Sequence, residues 1–257
     1  MSIKITPFSV GEVCDGASWV VSDLDELAAH VAMVAAGQAD QLEEILKSAG
    51  VPVLEASEAA RREAIRLLTV EEGDPYHRDG WMFQVMSWIA AQHNAQDSII
   101  RTPHMIKALK GFDGIQVVTN SEGVANVILF EDKATGRPRE TIKNDVWPDF
   151  LAIESGENEN VLVSEVTTLL RIGGFKNASE IAKKVIWDKS RIFKASITVS
   201  ASHSTEDGRS RLFKGYEEQV KGEKARRRGD TFFVENLRGW MDDLAKRSKE
   251  VLQAGMT

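Results

Sequence analysis

The chain has 257 residues, 42% of them apolar, and a single cysteine, Cys14. That suits one elaborated domain or two small ones with a real core, and it excludes an internal disulfide and a cysteine-based zinc site. A net charge of -7 argues against a protein that coats nucleic acid by bulk electrostatics.

No run of roughly 18 apolar residues is present to span a membrane, and the opening MSIKITPFSV lacks the long apolar stretch of a signal peptide. With the lone cysteine, this predicts a reducing, cytoplasmic setting. Charge is uneven. Residues 1–75 carry Asp23, Asp25, Glu26, Asp40, Glu43, Glu44, Glu71 and Glu72, whereas 176–228 is dense in lysine and arginine, Lys189 among them.

After a short strand-like start, Ser22 is the expected cap of a first helix, with acids in the first turn where the helix dipole favours them. A second helix over Gln38 to Ser48 is stopped by Gly50 and Pro52, and Ser57 caps a third. Gly73-Asp74-Pro75 breaks the pattern. It divides a helical region, 1–75, suited to partner docking or regulation, from residues 76–257. An apolar-striped helix follows over 79–95, then a possible short strand within 98–110, strands over 114–120 and 126–134, and a helix over 139–154. Further helices are expected near 160–171, 178–187, 209–220 and 237–252. IFKASITVSA, ending at Ala201, alternates and is rich in β-formers, and Lys221 to Arg228 reads as a basic loop. Strands interleaved with helices predict an α/β (α+β) fold with a mixed central sheet flanked by helices.

The segment GFDGIQVVTNSEGVANVILFEDK, Gly111 to Lys133, reads as a hairpin turned by Asn120, Ser121, Glu122 and Gly123. Side chains two apart on a strand share a face. Glu131 and Lys133 therefore point the same way, and antiparallel pairing brings Asp113 beside them. Two carboxylates and an ammonium at one spot can hold a hard divalent cation and activate a water. Asp132 points to the opposite face, where a structural role is expected.

An aspartate followed a hairpin later by Glu-x-Lys resembles the core of the PD-(D/E)xK, restriction-endonuclease-like nuclease superfamily. Here the residues are Asp113 and Glu131-Asp132-Lys133, with Phe112 where that family often has proline. The helix opening Arg78-Asp79-Gly80-Trp81-Met82-Phe83-Gln84 is similar to that of bacterial antiphage effector nucleases, including the CBASS and Hachiman types. The resemblance covers roughly residues 76–155. It implies a restriction-endonuclease-like core and a Mg²⁺- or Mn²⁺-dependent DNA endonuclease of little sequence specificity. Asp113 and Glu131 would be metal ligands, and Lys133 and Gln84 would complete the catalytic set. It also implies control by a protein partner, such as a helicase-like ATPase, or by homodimerisation.

Lys143, Lys224, Arg226, Arg227 and Arg228 are the candidate phosphate-backbone contacts. His77, His93 and His104 lack helical metal-ligand spacing. No Gly-x-Ser-x-Gly elbow and no Gly-x-x-x-x-Gly-Lys phosphate loop occurs. A catalytically silent binding module on the same scaffold, or an RNA nuclease, is the competing expectation.

Overall fold

A computed structural model describes residues 2–48, 50, 54–70, 73–93, 98–106, 111–120, 123–187 and 190–254. Pro52, Glu71, Glu72, Ser121, Glu122 and Lys189 lie outside the described residues. The elements in chain order are β1 (Ile3–Val10), β2 (Cys14–Val21), α1 (Leu24–Ala35), α2 (Ala39–Ser48), α3 (Glu58–Leu67) and α4 (Tyr76–Gln92). Next come β3 (Ser98–Ile100), β4 (Gly114–Asn120), β5 (Gly123–Lys133), α5 (Pro138–Thr141), α6 (Trp147–Glu154), α7 (Glu159–Ile172) and α8 (Ala178–Trp187). The last are β6 (Arg191–Val199), α9 (Ala201–Ser204), α10 (Glu206–Phe213), α11 (Tyr216–Gln219), β7 (Arg227–Phe233) and α12 (Leu237–Ala254).

The fold is mixed α/β, as the alternating elements predict. One seven-stranded sheet runs in the order β1-β2-β7-β6-β5-β4-β3. β2, β7, β6 and β5 are parallel neighbours, and antiparallel pairs close both flanks. Helices cover both faces. On one lie α1 to α4 and α12, packed on Ile128 and Phe130; on the other lie α6 to α8, α10 and α11, packed on Val127 and Leu129. This alternation along β5 puts Glu131 and Lys133 on the α6 side and Asp132 on the α4 side.

β6 is buried along its whole length, because it lies between two parallel strands with helices above and below. Its alternation is therefore not core against solvent. Phe193, Ala195 and Ile197 join the α6-side core. Lys194, Ser196 and Thr198 face the other way and find polar partners: Asp230 at 3.0 Å, Ser87 at 3.3 Å and the Thr135 carbonyl at 2.7 Å.

Local sequence accounts for most helix ends. Ser57 accepts the Ala60 amide as expected, but Asp23 rather than Ser22 caps α1, accepting the Glu26 amide at 2.9 Å. The helix expected over 139–154 passes through a π-helical turn, Ile142–Val146. The one expected over 209–220 breaks between α10 and α11 at Gly215, whose φ of 87° lies in the left-handed region that favours glycine. Residues 1–75, expected as helical, open with the β1–β2 hairpin, and β2 pairs with β7. Helices α1 and α3 also share a core with α4 and α12. The expected basic loop is a short 3₁₀ turn, Lys224–Arg226, running directly into β7.

Candidate active site

The site lies where β4 begins and β5 ends. Gly114 pairs with Phe130, and a β-carbon at Gly114 would sit 2.8 Å from the Phe130 ring. Only glycine allows the two strands to close there. One position outward on each strand stand Asp113 and Glu131. Phe112 is buried in the α6-side core, and its carbonyl accepts a hydrogen bond from the Arg101 guanidinium, which also pairs with Glu165 at 3.1 Å. Arg101 thus fixes the approach to Asp113. It lies in an irregular segment where no periodicity could have marked it.

Asp113 is held at both oxygens. Its Oδ1 accepts the Gln84 side-chain amide at 2.5 Å, and its Oδ2 accepts the Asp132 backbone N–H at 2.8 Å. Lys133 Nζ contacts Glu131 Oε1 at 2.5 Å. Gln84 thus meets Asp113 and Lys133 meets Glu131, and Gln84, Asp113 and Lys133 line one cavity. Gln84 arrives from α4, whose first turn is anchored by Asp79. That carboxylate is fully buried and binds both Arg78 and Arg238. The Tyr76 amide at the helix start is bound by Asp74 at 2.9 Å.

The two carboxyls are costly to ionise. Burial, then the Asp132 carboxylate, pushes Asp113 up to about 6, against the pull of Lys133. Burial, then Asp113, pushes Glu131 up to about 8, again opposed by Lys133. Burial acts to lower Lys133, but Glu131 and Asp113 outweigh it and raise it, so the ammonium stays charged. Asp132 faces Ser87, Ser196 and Lys194. Burial pushes it up to about 7 against those three groups, and among the described residues its Oδ1 has no hydrogen-bond partner.

The four groups do not open into a single cavity. A cavity of about 310 Å³ is lined by Tyr76, Gly80, Gln84, Asp113 and Lys133. Glu131 lines a second, of about 380 Å³, with Asp149 and Glu157. Lys133 lines the first and its ion-pair partner Glu131 the second. Sequence reading passed over Tyr76 and Asp149. Tyr76 was detectable, since positions 76, 80 and 84 fall on one helical stripe.

The cationic candidates differ in availability. Arg226 grips Glu154 with both ends of its guanidinium at 2.9–3.0 Å, and Lys224 holds Asp15 at 2.7 Å and Ser9 at 2.6 Å. Arg227 is buried and donates to the carbonyls of Val13, Val220, Gly222 and Glu12. Lys143 and Arg228 are exposed.

Among the described residues, no group of three or more histidine, cysteine or acidic side chains is arranged to hold a metal ion. No described helix is long and apolar enough to cross a membrane. No family model matches this chain, and no curated protein or solved structure matches it.

Proposed function

We propose that this protein is a metal-dependent DNA endonuclease of the PD-(D/E)xK type, acting with little sequence specificity. One observation carries the reading. The buried Glu131 and the half-buried Asp113 stand one position outward from the Gly114–Phe130 pair at one end of the sheet, with the Lys133 ammonium on Glu131 and the Gln84 amide on Asp113. A small hard cation that keeps most of its water needs only one or two carboxylates, with substrate phosphate supplying further oxygens. The oxygen-only pair Asp113 and Glu131 fits that requirement, and their mutual repulsion is what a cation would relieve.

When bound there, Mg²⁺ or Mn²⁺ would polarise the scissile phosphate and lower the pKa of a water. The chain's own residues do the rest. Gln84 and the Asp132 N–H fix both oxygens of Asp113. Lys133 contacts Glu131 at 2.5 Å and, if a cation took over that oxygen, would be placed to stabilise charge on the phosphate. Of the cationic candidates, Lys143 and Arg228 are exposed, and the exposed Arg137 lines the cavity itself.

By the same resemblance, the protein is a cytoplasmic effector of bacterial antiphage defence, restrained by a protein partner or by its own oligomerisation. The test is incubation with supercoiled plasmid, linear duplex, single strands and RNA, with and without Mg²⁺ or Mn²⁺. Metal-dependent nicking that falls by about 10²-fold or more in Lys133→Met is the expected result. Activity unchanged by Lys133→Met overturns the reading in favour of a binding module. Preferential cleavage of RNA in direct competition with DNA replaces the substrate.

A further inference from the structure

The stripe of α4 that leads from the rim of the cavity to Asp113 carries Tyr76, Gly80 and Gln84, each four residues from the last. Tyr76 is 52% exposed at the rim. Its ring meets His77 edge-on at 5.5 Å, and it lines the same cavity as Lys133. Gly80 sits inside a 17-residue helix with no positive φ, and a β-carbon there would find no atom within 4 Å. Glycine in a helix interior costs roughly 1 kcal/mol relative to alanine. Neither backbone geometry nor internal packing requires it here. What it keeps is open space in the cavity that it lines. Trp81 also lines the cavity; it is 2% exposed, and its indole N–H donates to the His104 carbonyl at 2.6 Å.

We propose that Tyr76, Gly80 and Trp81 form a slot for one unstacked nucleobase beside the scissile phosphate, so that this site takes unpaired, single-stranded nucleic acid. The inference rests on the nuclease reading above and narrows its substrate. A cavity of about 310 Å³ is at the small end of ligand sites and admits one nucleotide rather than a base pair. A base within a duplex keeps both faces stacked on its neighbours and has none to offer Tyr76. An unpaired base has a free face, and aromatic platforms bind such faces with little regard to sequence. The slot therefore agrees with the low sequence specificity proposed for the enzyme.

The experiment measures fluorescence anisotropy of a labelled 12-nucleotide oligo-dT and of a matched duplex in EDTA at one fixed salt concentration. The proteins are the full chain, Tyr76→Ala, Tyr76→Phe and Gly80→Leu. The parent is expected to bind the single strand at least about tenfold tighter than the duplex, and Tyr76→Ala to lose about 5- to 150-fold of the single-strand affinity. Tyr76→Phe retains that affinity. Gly80→Leu loses it while its thermal midpoint stays level or rises, a combination that a purely structural glycine would not give. Equal affinity for strand and duplex, or single-strand binding untouched by both Tyr76→Ala and Gly80→Leu, overturns the slot. Metal-dependent cleavage that needs Lys133 but proceeds equally on strand and duplex overturns the slot and leaves the hydrolase standing. No cleavage of any nucleic acid overturns both.

Discussion

Glu131→Gln separates stability from activity in a way that depends on pH. The Glu131 carboxyl is raised from 4.5 to about 8 in the folded protein, first by burial and then by Asp113. A carboxyl with a folded pKa above its unfolded value binds its proton more tightly in the native state. Between the two values the native state holds more protons, so stability falls as pH rises. At about 1.36 kcal/mol per pH unit, the interval from 4.5 to about 8 corresponds to something on the order of 5 kcal/mol. Glutamine imitates the protonated acid, so the variant lacks this slope. Urea unfolding at pH 4.5 and pH 8 should show the variant gaining several kcal/mol on the parent between the two conditions. The same variant should lose metal-dependent nicking. Mg²⁺ added at pH 8 should restore much of the parent's deficit and none of the variant's, because the ion competes with the proton for the same oxygens. A difference between variant and parent that is the same at both pH values would refute the argument.

Asp79→Asn should destabilise the fold by about 3–5 kcal/mol in urea titration, since it leaves Arg78 and Arg238 without their shared buried anion. Gly16→Ala should cost about 1–3 kcal/mol or more, read by thermal melting, because the new methyl would sit 1.8 Å from the Gly229 carbonyl and force β2 away from β7. Arg228→Ala should lower the salt dependence of DNA binding by about one counterion with little effect on the melting temperature. Arg227→Met should instead unfold at lower urea by about 3 kcal/mol, having given up hydrogen bonds to four carbonyls.

What could be read from the chain was what depends on neighbours in sequence. Apolar recurrence and Ser57 marked α3, and turn residues around position 120 marked the β4–β5 hairpin. The two-residue period of a strand placed Glu131 and Lys133 on one face and Asp132 on the other. What escaped depends on distant partners. No local signal says that β2 lies beside β7, or that Lys194 on an apparently alternating strand finds Asp230 on the next one. The Lys224–Arg228 run looked like a free cationic loop, because the anions and carbonyls that occupy it come from β1, β2, α6 and the turns beside them. The separate cavity of Glu131 is another tertiary fact, set by where α6 and the loop after it place Asp149 and Glu157.

The bond between the Ala17 amide and Asp230 spans 213 residues, and that distance has a temporal meaning in the cell. A ribosome adding about 5–20 residues per second releases β1 and β2 roughly 10–40 seconds before β7 exists to join them. During that interval the hairpin carries a bare strand margin, open to any passing extended chain. The antiparallel β4–β5 pair needs only its own turn to close. The half of the sheet bearing Asp113 and Glu131 can therefore assemble during translation, while the first-made strands wait for nearly the last.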